Sequence, residues 1–580
     1  MNLIQDKALE LLTTWCNSLL KLQLTHEHPR FDGGLLCPSC LHVHGRIIDL
    51  VYPLCYLSDV TGNLSYVESA KRIVVWGEQL YCDDHSYYND AQQTWNKTTI
   101  FFAQSLMQAL LHHGHILDQE TKIAWEQRLR EISDWMLLHF AVDDPANTNY
   151  HASCCAALAM SAHYFQEPAY MEKAKALKQF CEQFISEDGL FYGEGNPRAY
   201  HTSKGCVSVD IGYSMEESLP GLIEYAHYAK DWEFMKQLAD IMRHYLDFML
   251  PDGAMDNSFG TRNFKWTYWG SRTSDGCCKA LSMLASYDPV FLEACYRNLK
   301  LLKACTTDGF LYGGPHYVQH KEAPCIHHMF AHAKALAGCL DMEQQDYLPC
   351  KLPLEVSKFA YYPSLDTYRI QSATLQATIT AFDYSHFEGG HVSGGVVSML
   401  YHAAYGPVIA CGITDSTSRE PLNTQLSLQK SEISSSAWRL SYERDGIQYA
   451  NCYDLNAEIH QVSNSYQVCF SFADIQHHHD NQGGELTYFI LEECMIMSGK
   501  LTTKQETTLL LPIIADDSVC VQVQKQHVIF QKEQVTMTIE CSHVITAIRD
   551  TFSLAPGFCC KELSISLEAN AEFTISWRFS

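Results

Sequence analysis

Asp188-Gly-Leu-Phe-Tyr-Gly193 and Asp308-Gly-Phe-Leu-Tyr-Gly313 are close copies of one loop, and Asp252-Gly-Ala-Met255 is a shortened third. They lie among segments whose apolar residues recur with a helical period of about 3.6. Similar loops after alternate helices are what a ring or spiral of helical hairpins produces. Outward from them, the same period marks helices over residues 4–22, 47–57, 66–80, 98–115, 119–140, 151–165, 169–185, 215–228, 232–248, 277–286, 289–305 and 327–340. Twelve helices with short polar connections make six hairpins. The expected fold over residues 1–347 is an (α/α)6 toroid, with an α-solenoid as the alternative.

Near Leu348-Pro-Cys-Lys-Leu-Pro353 the texture changes, and beyond Ala360 short alternating runs take over. Thr374-Leu-Gln-Ala-Thr-Ile-Thr-Ala381, Tyr466-Gln-Val-Cys-Phe-Ser-Phe472 and Val535-Thr-Met-Thr-Ile539 are rich in β-branched and aromatic residues. Spaced by Gly, Asn and Asp, they read as an antiparallel β-sandwich over residues 354–580. No low-complexity linker intervenes, so the two domains are expected to share an interface, a common place for a site.

Composition narrows the function. A chain of 580 residues, 47% hydrophobic and 19% charged, has ample material for two cores. No uninterrupted apolar run is long enough to span a membrane. The charged start Met1-Asn-Leu-Ile-Gln-Asp-Lys-Ala-Leu-Glu10 does not read as a signal peptide, which implies a cytoplasmic protein, or a periplasmic one if a leader was removed. The 24 cysteines lie scattered through helical segments, the pattern of reduced buried thiols in a reducing compartment. A formal net charge of −26 argues against nucleic acid as a partner. It does not exclude an anionic sugar, because a few arginines make a local basic cleft. A homo-oligomer is left open.

Three stretches carry candidate chemistry. In Val209-Asp-Ile-Gly-Tyr-Ser-Met-Glu-Glu-Ser-Leu-Pro-Gly221, Tyr213 precedes a helix that Ser214 and Glu217 are expected to cap. A tyrosine at a helix mouth suits proton transfer; the alternative is a packing residue, common among 32 tyrosines. In Lys265-Trp-Thr-Tyr-Trp-Gly-Ser-Arg-Thr-Ser-Asp-Gly276, Trp266, Tyr268 and Trp269 can stack on sugar rings and Arg272 can hold a carboxylate or sulfate bidentately. Ser274 and Asp275 can simply cap the next helix. In Cys37-Pro-Ser-Cys-Leu-His-Val-His-Gly-Arg-Ile-Ile-Asp49, Cys37 and Cys40 with His42, and with His44 two residues further on, are zinc-ligand types, but a second Cys-x-x-Cys is missing. No cofactor is therefore expected, and His44, Arg46 and Asp49 are expected to face the toroid mouth. His477-His-His479 reads as an exposed loop.

Phe387-Glu-Gly-Gly-His-Val-Ser-Gly-Gly-Val-Val-Ser-Met-Leu-Tyr401, followed by Gly406-Pro-Val-Ile-Ala-Cys-Gly412, resembles the opening of the sandwich in the heparinase II/III group of polysaccharide lyases. In the helical half, Asn147-Thr-Asn-Tyr-His151, Asp210-Ile-Gly-Tyr213 with Glu217-Ser218, and Leu250-Pro-Asp-Gly253 resemble that group's Asn/His, tyrosine and following loop motifs. The resemblance implies β-elimination across a uronic-acid glycosidic bond in a glycosaminoglycan-like glycan. By it, Asn149 and His151 serve carboxylate binding and proton abstraction, Tyr213 is acid or both acid and base, and His391 reaches in from the sandwich. Glycines on both sides of His391 allow close approach of the backbone to a ligand. Where some members of the group hold a structural zinc in the sandwich, this chain has Cys411 for the hairpin Asp and Leu422-Asn-Thr424 for the later His motif, with Asp415 as a stand-in, so zinc is not expected there.

Two other classes compete. A glycoside hydrolase on the same toroid would need two carboxylates flanking the bond, with Asp49, Asp210, Glu217, Asp256 and Asp275 as candidates. A non-catalytic carbohydrate-binding protein would keep the aromatics at 266–269 without needing Tyr213, His151 and His391. No glycine fingerprint for nucleotide phosphates lies between a strand and a helix.

Overall fold

The computed structural model describes every residue except Met1, Glu27, 91–93, Gln344, Glu388 and 416–433. The Leu422–Thr424 pattern and the glutamate of the Phe387-Glu-Gly-Gly-His motif therefore lie outside the described residues. Six helices, Val51–Thr61, Thr98–His113, Thr148–Phe165, Leu219–Ala229, Cys278–Leu284 and Ile326–Asp341, pack each on the next, and the last returns to the first. That closed inner ring is an (α/α)6 toroid. The solenoid alternative falls, because a solenoid has two ends. Each inner helix has an outer partner, among them Leu64–Gly77, Gln119–His139 and Trp232–Tyr245, and Leu3–Leu20 closes the outer layer against Ile326–Asp341.

Inner and outer helices differ as their positions require. Ile326–Asp341 is buried on all sides and uses Ala331, Ala333, Ala335, Ala337 and Gly338 to let neighbours approach. Gln119–His139 buries one stripe, Trp125, Leu129, Ile132, Ser133, Trp135 and Met136, and leaves its charges in water. The polar residues of the inner helices, Gln104, Ser153, Glu224, Lys279 and Lys334, face the axis. What space remains among them is a cavity of about 30 Å³, room for one or two waters, so the axis is filled rather than a tunnel.

The echoed loops are short β-turns closing outer helices. Ile185 bridges Phe191, Met249 bridges Met255, and Thr306–Thr307 pairs with Phe310–Leu311. Gly189, Gly253 and Gly309 hold φ of 79°, 93° and 82°, which only glycine adopts without cost. A fourth copy joins Tyr81 to Tyr87, with His85 at φ 73° in the glycine's place. That substitution hid the repeat from sequence comparison.

The sandwich begins with a five-stranded antiparallel meander, Phe359–Tyr362, Thr367–Gln371, Leu375–Thr380, Val396–His402 and Gly406–Ala410, and continues into a larger antiparallel sheet that ends at Glu572–Phe579. Two strands of the meander, Leu375–Thr380 and Val396–His402, are buried throughout, because the sheet is covered on both faces. Ala377, Ile379 and Leu400 join the sandwich core, while Met399, Tyr401 and Ala410 join the toroid core. Polar contacts fasten the seam. Arg369 donates to Asp256 at 2.9 Å with both side chains fully buried, the Tyr362 hydroxyl donates to Asp247 at 2.7 Å, and the Ser364 N–H donates to Asp188 at 2.9 Å. Asp188 belongs to an echoed loop and Asp256 directly follows another, so this side of the toroid is the seat of the sandwich. Gly394 and Gly395 serve the sandwich's own packing, where a Cβ would meet the Asn451 carbonyl and Val468. This corrects the expectation that the glycines beyond His391 make room for a ligand. No described helix is long and apolar enough to cross a membrane, and no cysteine among the described residues is in a disulfide.

Candidate active site

Tyr213 ends a single helical turn, Ile211–Tyr213, capped by Asp210, whose Oδ1 accepts the Tyr213 N–H at 2.9 Å. Ser214 is therefore not the cap, and Glu217 is not half of a capping box. Instead Ser214–Ser218 form a π turn before the helix Leu219–Ala229. The wider turn brings Tyr213, Glu216 and Glu217 together into the interior. Asp210 also accepts from Asn257 at 3.0 Å and from the Arg262 N–H at 2.9 Å, which locks the turn to the following loop.

The phenolic oxygen of Tyr213 meets the Thr273 hydroxyl and accepts from the Lys265 ammonium at 3.1 Å. The Arg262 guanidinium lies 4.3 Å from the ring centre. Burial pushes this phenol well above the usual tyrosine range, with Arg262 and the Thr273 hydrogen bond pulling the other way. It rests as the phenol, the form that gives up a proton. Thr273 holds φ of 73°, a backbone conformation that costs a β-branched residue about 1–3 kcal/mol and persists only where surroundings enforce it.

Asn149, in the first turn of Thr148–Phe165, donates from Nδ2 to Glu217 Oε1. Its backbone N–H donates to Glu194 at 2.9 Å, and Glu194 in turn pairs with Arg262 at 3.2 Å. Asn149 Oδ1 and Glu217 Oε2 are buried without partners. Burial, and next the charge of Asp275, raise the Glu217 carboxyl to about 8. At neutral pH it is a neutral donor beside an amide, an arrangement that can receive a carboxylate. Deeper on the axis, Arg46 lies 2.7 Å from Asp49 and 2.6 Å from Asp275, and Lys334 lies 3.1 Å and 2.6 Å from the same two.

Several expected residues stand elsewhere. Asn149 and His151 are two positions apart on one helix, hence on opposite faces. His151 stacks on Phe180 at 4.8 Å and meets Phe140 edge-on. It is a core histidine, not a partner of Asn149. Trp266, Tyr268 and Trp269 are buried to within 1%. Their polar atoms donate to the Met255 carbonyl, Asp252 and the Tyr312 carbonyl at 2.8, 2.8 and 2.7 Å, tying this hairpin to two echoed loops. They are unavailable to a sugar. Arg272 spends its NH2 on the sulfurs of Cys40 and Cys325 at 3.3 and 3.2 Å, not on a carboxylate clamp. His44 turns to the same sulfurs, while Arg46 and Asp49 join the buried centre rather than the mouth. Ser274 donates to Glu216 at 2.6 Å and Asp275 holds the two cations, so neither caps the next helix. His391 is buried against Phe382, with Nε2 3.4 Å from the Phe382 carbonyl. No hydrogen bond joins it to Tyr213 or Asn149 among the described residues.

Sequence reasoning missed Glu194, Arg262, Lys265 and Lys334, whose roles depend on distant partners. It also missed Trp95 and Tyr150, which meet edge-on at 5.7 Å. Tyr150 in turn packs on Phe101, and Phe101 lies under Arg46. Trp95 is 44% exposed, the kind of aromatic that can stack on a sugar at the rim. Of the five hydrolase candidates, four are engaged elsewhere: Asp210 caps, Asp256 holds Arg369, and Asp49 and Asp275 share two cations, which leaves Glu217 without a second free carboxylate among them.

A toroid closed against a β-sandwich, with a buried phenol set among cations beside an amide and a neutral carboxyl, is the arrangement of a polysaccharide lyase. The same architecture occurs in heparinase III, which is 12% identical with a TM-score of 0.54 over 92% of this chain and 76% of that one. Chondroitin AC lyase from Streptomyces coelicolor A3, solved with chondroitin sulphate, is 11% identical with a TM-score of 0.54 over 99% and 79%. More specifically, the chain belongs to the ulvan lyase family: the model of the ulvan lyase N-terminal domain matches residues 12–351 and that of the C-terminal domain residues 359–580. A broad-specificity ulvan lyase from Formosa agariphila is 32% identical over 97% of this chain and 92% of its own length. The hydrolase and the non-catalytic binding protein are set aside.

Proposed function

We propose that this lyase acts on ulvan-type, uronate-containing anionic polysaccharide by β-elimination, with Tyr213 as the proton donor. The observation that carries the reading is the Tyr213 oxygen held by Thr273 and Lys265 beside the Asn149–Glu217 pair. A uronate carboxylate set against Asn149 and neutral Glu217 has its charge stabilised as C5 loses its proton. The C5–H and C4–O bonds break, the C4=C5 bond forms, and the departing oxygen takes the proton of Tyr213. His391 is the proposed acceptor of the C5 proton. It lies in the sandwich loop that packs on residues 259–264, burial lowers its imidazolium to about 4, and an Nε2–H given to Phe382 leaves Nδ1 as the basic nitrogen. Trp95 and Tyr150 form the sugar-stacking rim. The free cysteines favour a reducing compartment.

The test is incubation with ulvan and other uronate polysaccharides while ultraviolet absorbance and product masses are followed. Cleavage with a new C4–C5 chromophore on ulvan is expected. Cleavage with uptake of water and no chromophore overturns the reading.

A further inference from the structure

Outside the pocket, three thiols and an imidazole meet at the junction of the N-terminal segment with the last inner helix. Cys37 and Cys40 sit at the tip of a tight hairpin whose flanks, Leu36 and Val43, are bridged. Cys325 opens the helix Ile326–Asp341. The sulfur of Cys325 lies 4.0 Å from that of Cys37 and 3.7 Å from that of Cys40. The four ligand atoms, with a ring nitrogen of His44, all fall within 4.8 Å of one another.

Three features distinguish this cluster from ordinary core cysteines. The first is spacing. Sulfurs bound to one tetrahedral zinc at about 2.3 Å stand about 3.8 Å apart, and the two distances above bracket that edge; a disulfide would need about 2.05 Å. The second is an orphan. His44 is 6% exposed and its Nε2 has no hydrogen-bond partner, a costly state for a buried polar atom unless something coordinates it. The third is charge. Arg272 is 3% exposed, no described carboxylate pairs with it, and its NH2 lies on Cys40 and Cys325. Its Nε and NH1 have no partner at all. Neutral thiols cannot compensate a buried guanidinium. A dication, three thiolates and one guanidinium sum to zero. The Cys40 N–H also points at Cys37 Sγ, at 3.4 Å, as suits a thiolate.

We propose that Cys37, Cys40, His44 and Cys325 form a tetrahedral structural zinc site, with Arg272 as its charge-balancing outer partner. The ligand from the histidine pair is His44, not His42, whose Nδ1 lies 3.2 Å from the Cys40 carbonyl. The site fastens three pieces of wall around the pocket. Arg272 adjoins Thr273, which holds the Tyr213 hydroxyl in a strained backbone; His44 lies two residues before Arg46; and Cys325 begins the helix carrying Lys334. Zinc would thus hold Thr273 in place without touching substrate.

The experiment is metal analysis of the full chain purified under reducing conditions, with cobalt substitution of the same protein. The expected result is one zinc per chain, and a cobalt form with tetrahedral ligand-field bands and thiolate charge-transfer absorption. Cys325→Ser and His44→Ala should each cut zinc affinity by more than the roughly 10–100-fold that loss of an outer partner costs, and Arg272→Met by about that amount. Cys155→Ser, a buried thiol bonded to the Ala174 carbonyl, should leave metal content unchanged. Wild-type protein that neither retains zinc nor gives the thiolate–cobalt spectrum overturns the site, and no variant need fold for that outcome. Stoichiometric metal that survives Cys325→Ser overturns it too, and stoichiometric iron overturns the assignment to zinc.

Discussion

Replacing Tyr213 with phenylalanine removes one oxygen and keeps the ring. That oxygen meets Thr273 and Lys265, while the ring keeps its contact with Arg262. Two hydrogen bonds at the usual net worth, one to a charged donor, make the stability loss about 2–4.5 kcal/mol. Lys265 retains a contact with Thr273 at 3.5 Å, which favours the lower end. The catalytic loss is of another kind. A positioned general acid contributes roughly 10²–10⁴-fold, or about 3–5.5 kcal/mol of barrier. Tyr213→Phe should therefore lower the initial rate of chromophore formation on ulvan by at least about a hundredfold, with a small downward shift of the thermal transition. Rates within about threefold of wild type, under 1 kcal/mol of barrier, refute the acid role. A collapsed thermal transition refutes the claim that the oxygen, rather than the fold, was lost.

The pH profile of kcat/KM should be bell-shaped. It rises through about 4 as His391 sheds its proton and falls above about 8 as Glu217 ionises beside the substrate carboxylate; an acid limb near 7 would remove His391 from the mechanism. Because the folded Glu217 carboxyl is raised to about 8, the folded chain holds a proton that the unfolded chain releases near 4.5, so this stability is full below the unfolded value and is lost as pH rises through about 8. Glu217→Gln should flatten that decline in thermal unfolding measured across pH, and an unchanged decline would place its cause elsewhere. His151→Phe, between Phe140 and Phe180, should leave kcat/KM within about threefold, and a hundredfold loss would return His151 to the site. Asp256→Asn strands the buried Arg369 charge and should cost about 3–5 kcal/mol in denaturant unfolding. Arg369→Met in the same chain should recover much of it, and full additivity would show that the pair is uncoupled.

The sequence by itself determined the architecture. Helical period, alternation and the Asp-Gly loops are local properties, read within one turn or one strand, so the twelve helices and the change to strands near residue 359 were legible without contacts. Tyr213 stood out because its residue type beside a short turn suits proton transfer, but the turn itself was misread: Glu217, expected to help cap a helix, lies in a π turn against Asn149, a placement that depends on packing. Direction was not legible. Asn149 and His151 look like a pair in print, yet a helix sends side chains two apart to opposite faces, and only packing decides which face meets the pocket. Trp266, Tyr268 and Trp269 look like a sugar platform, but aromatic residues serve binding and burial equally, and the backbone carbonyls that claim them come from loops far along the chain. Arg272, His44 and Cys325 show the limit most plainly. The Cys-x-x-Cys and the histidines after it were visible, but Cys325, the remaining ligand of the proposed site, is brought to them only by ring closure, which sets the start of the last inner helix beside the N-terminal hairpin.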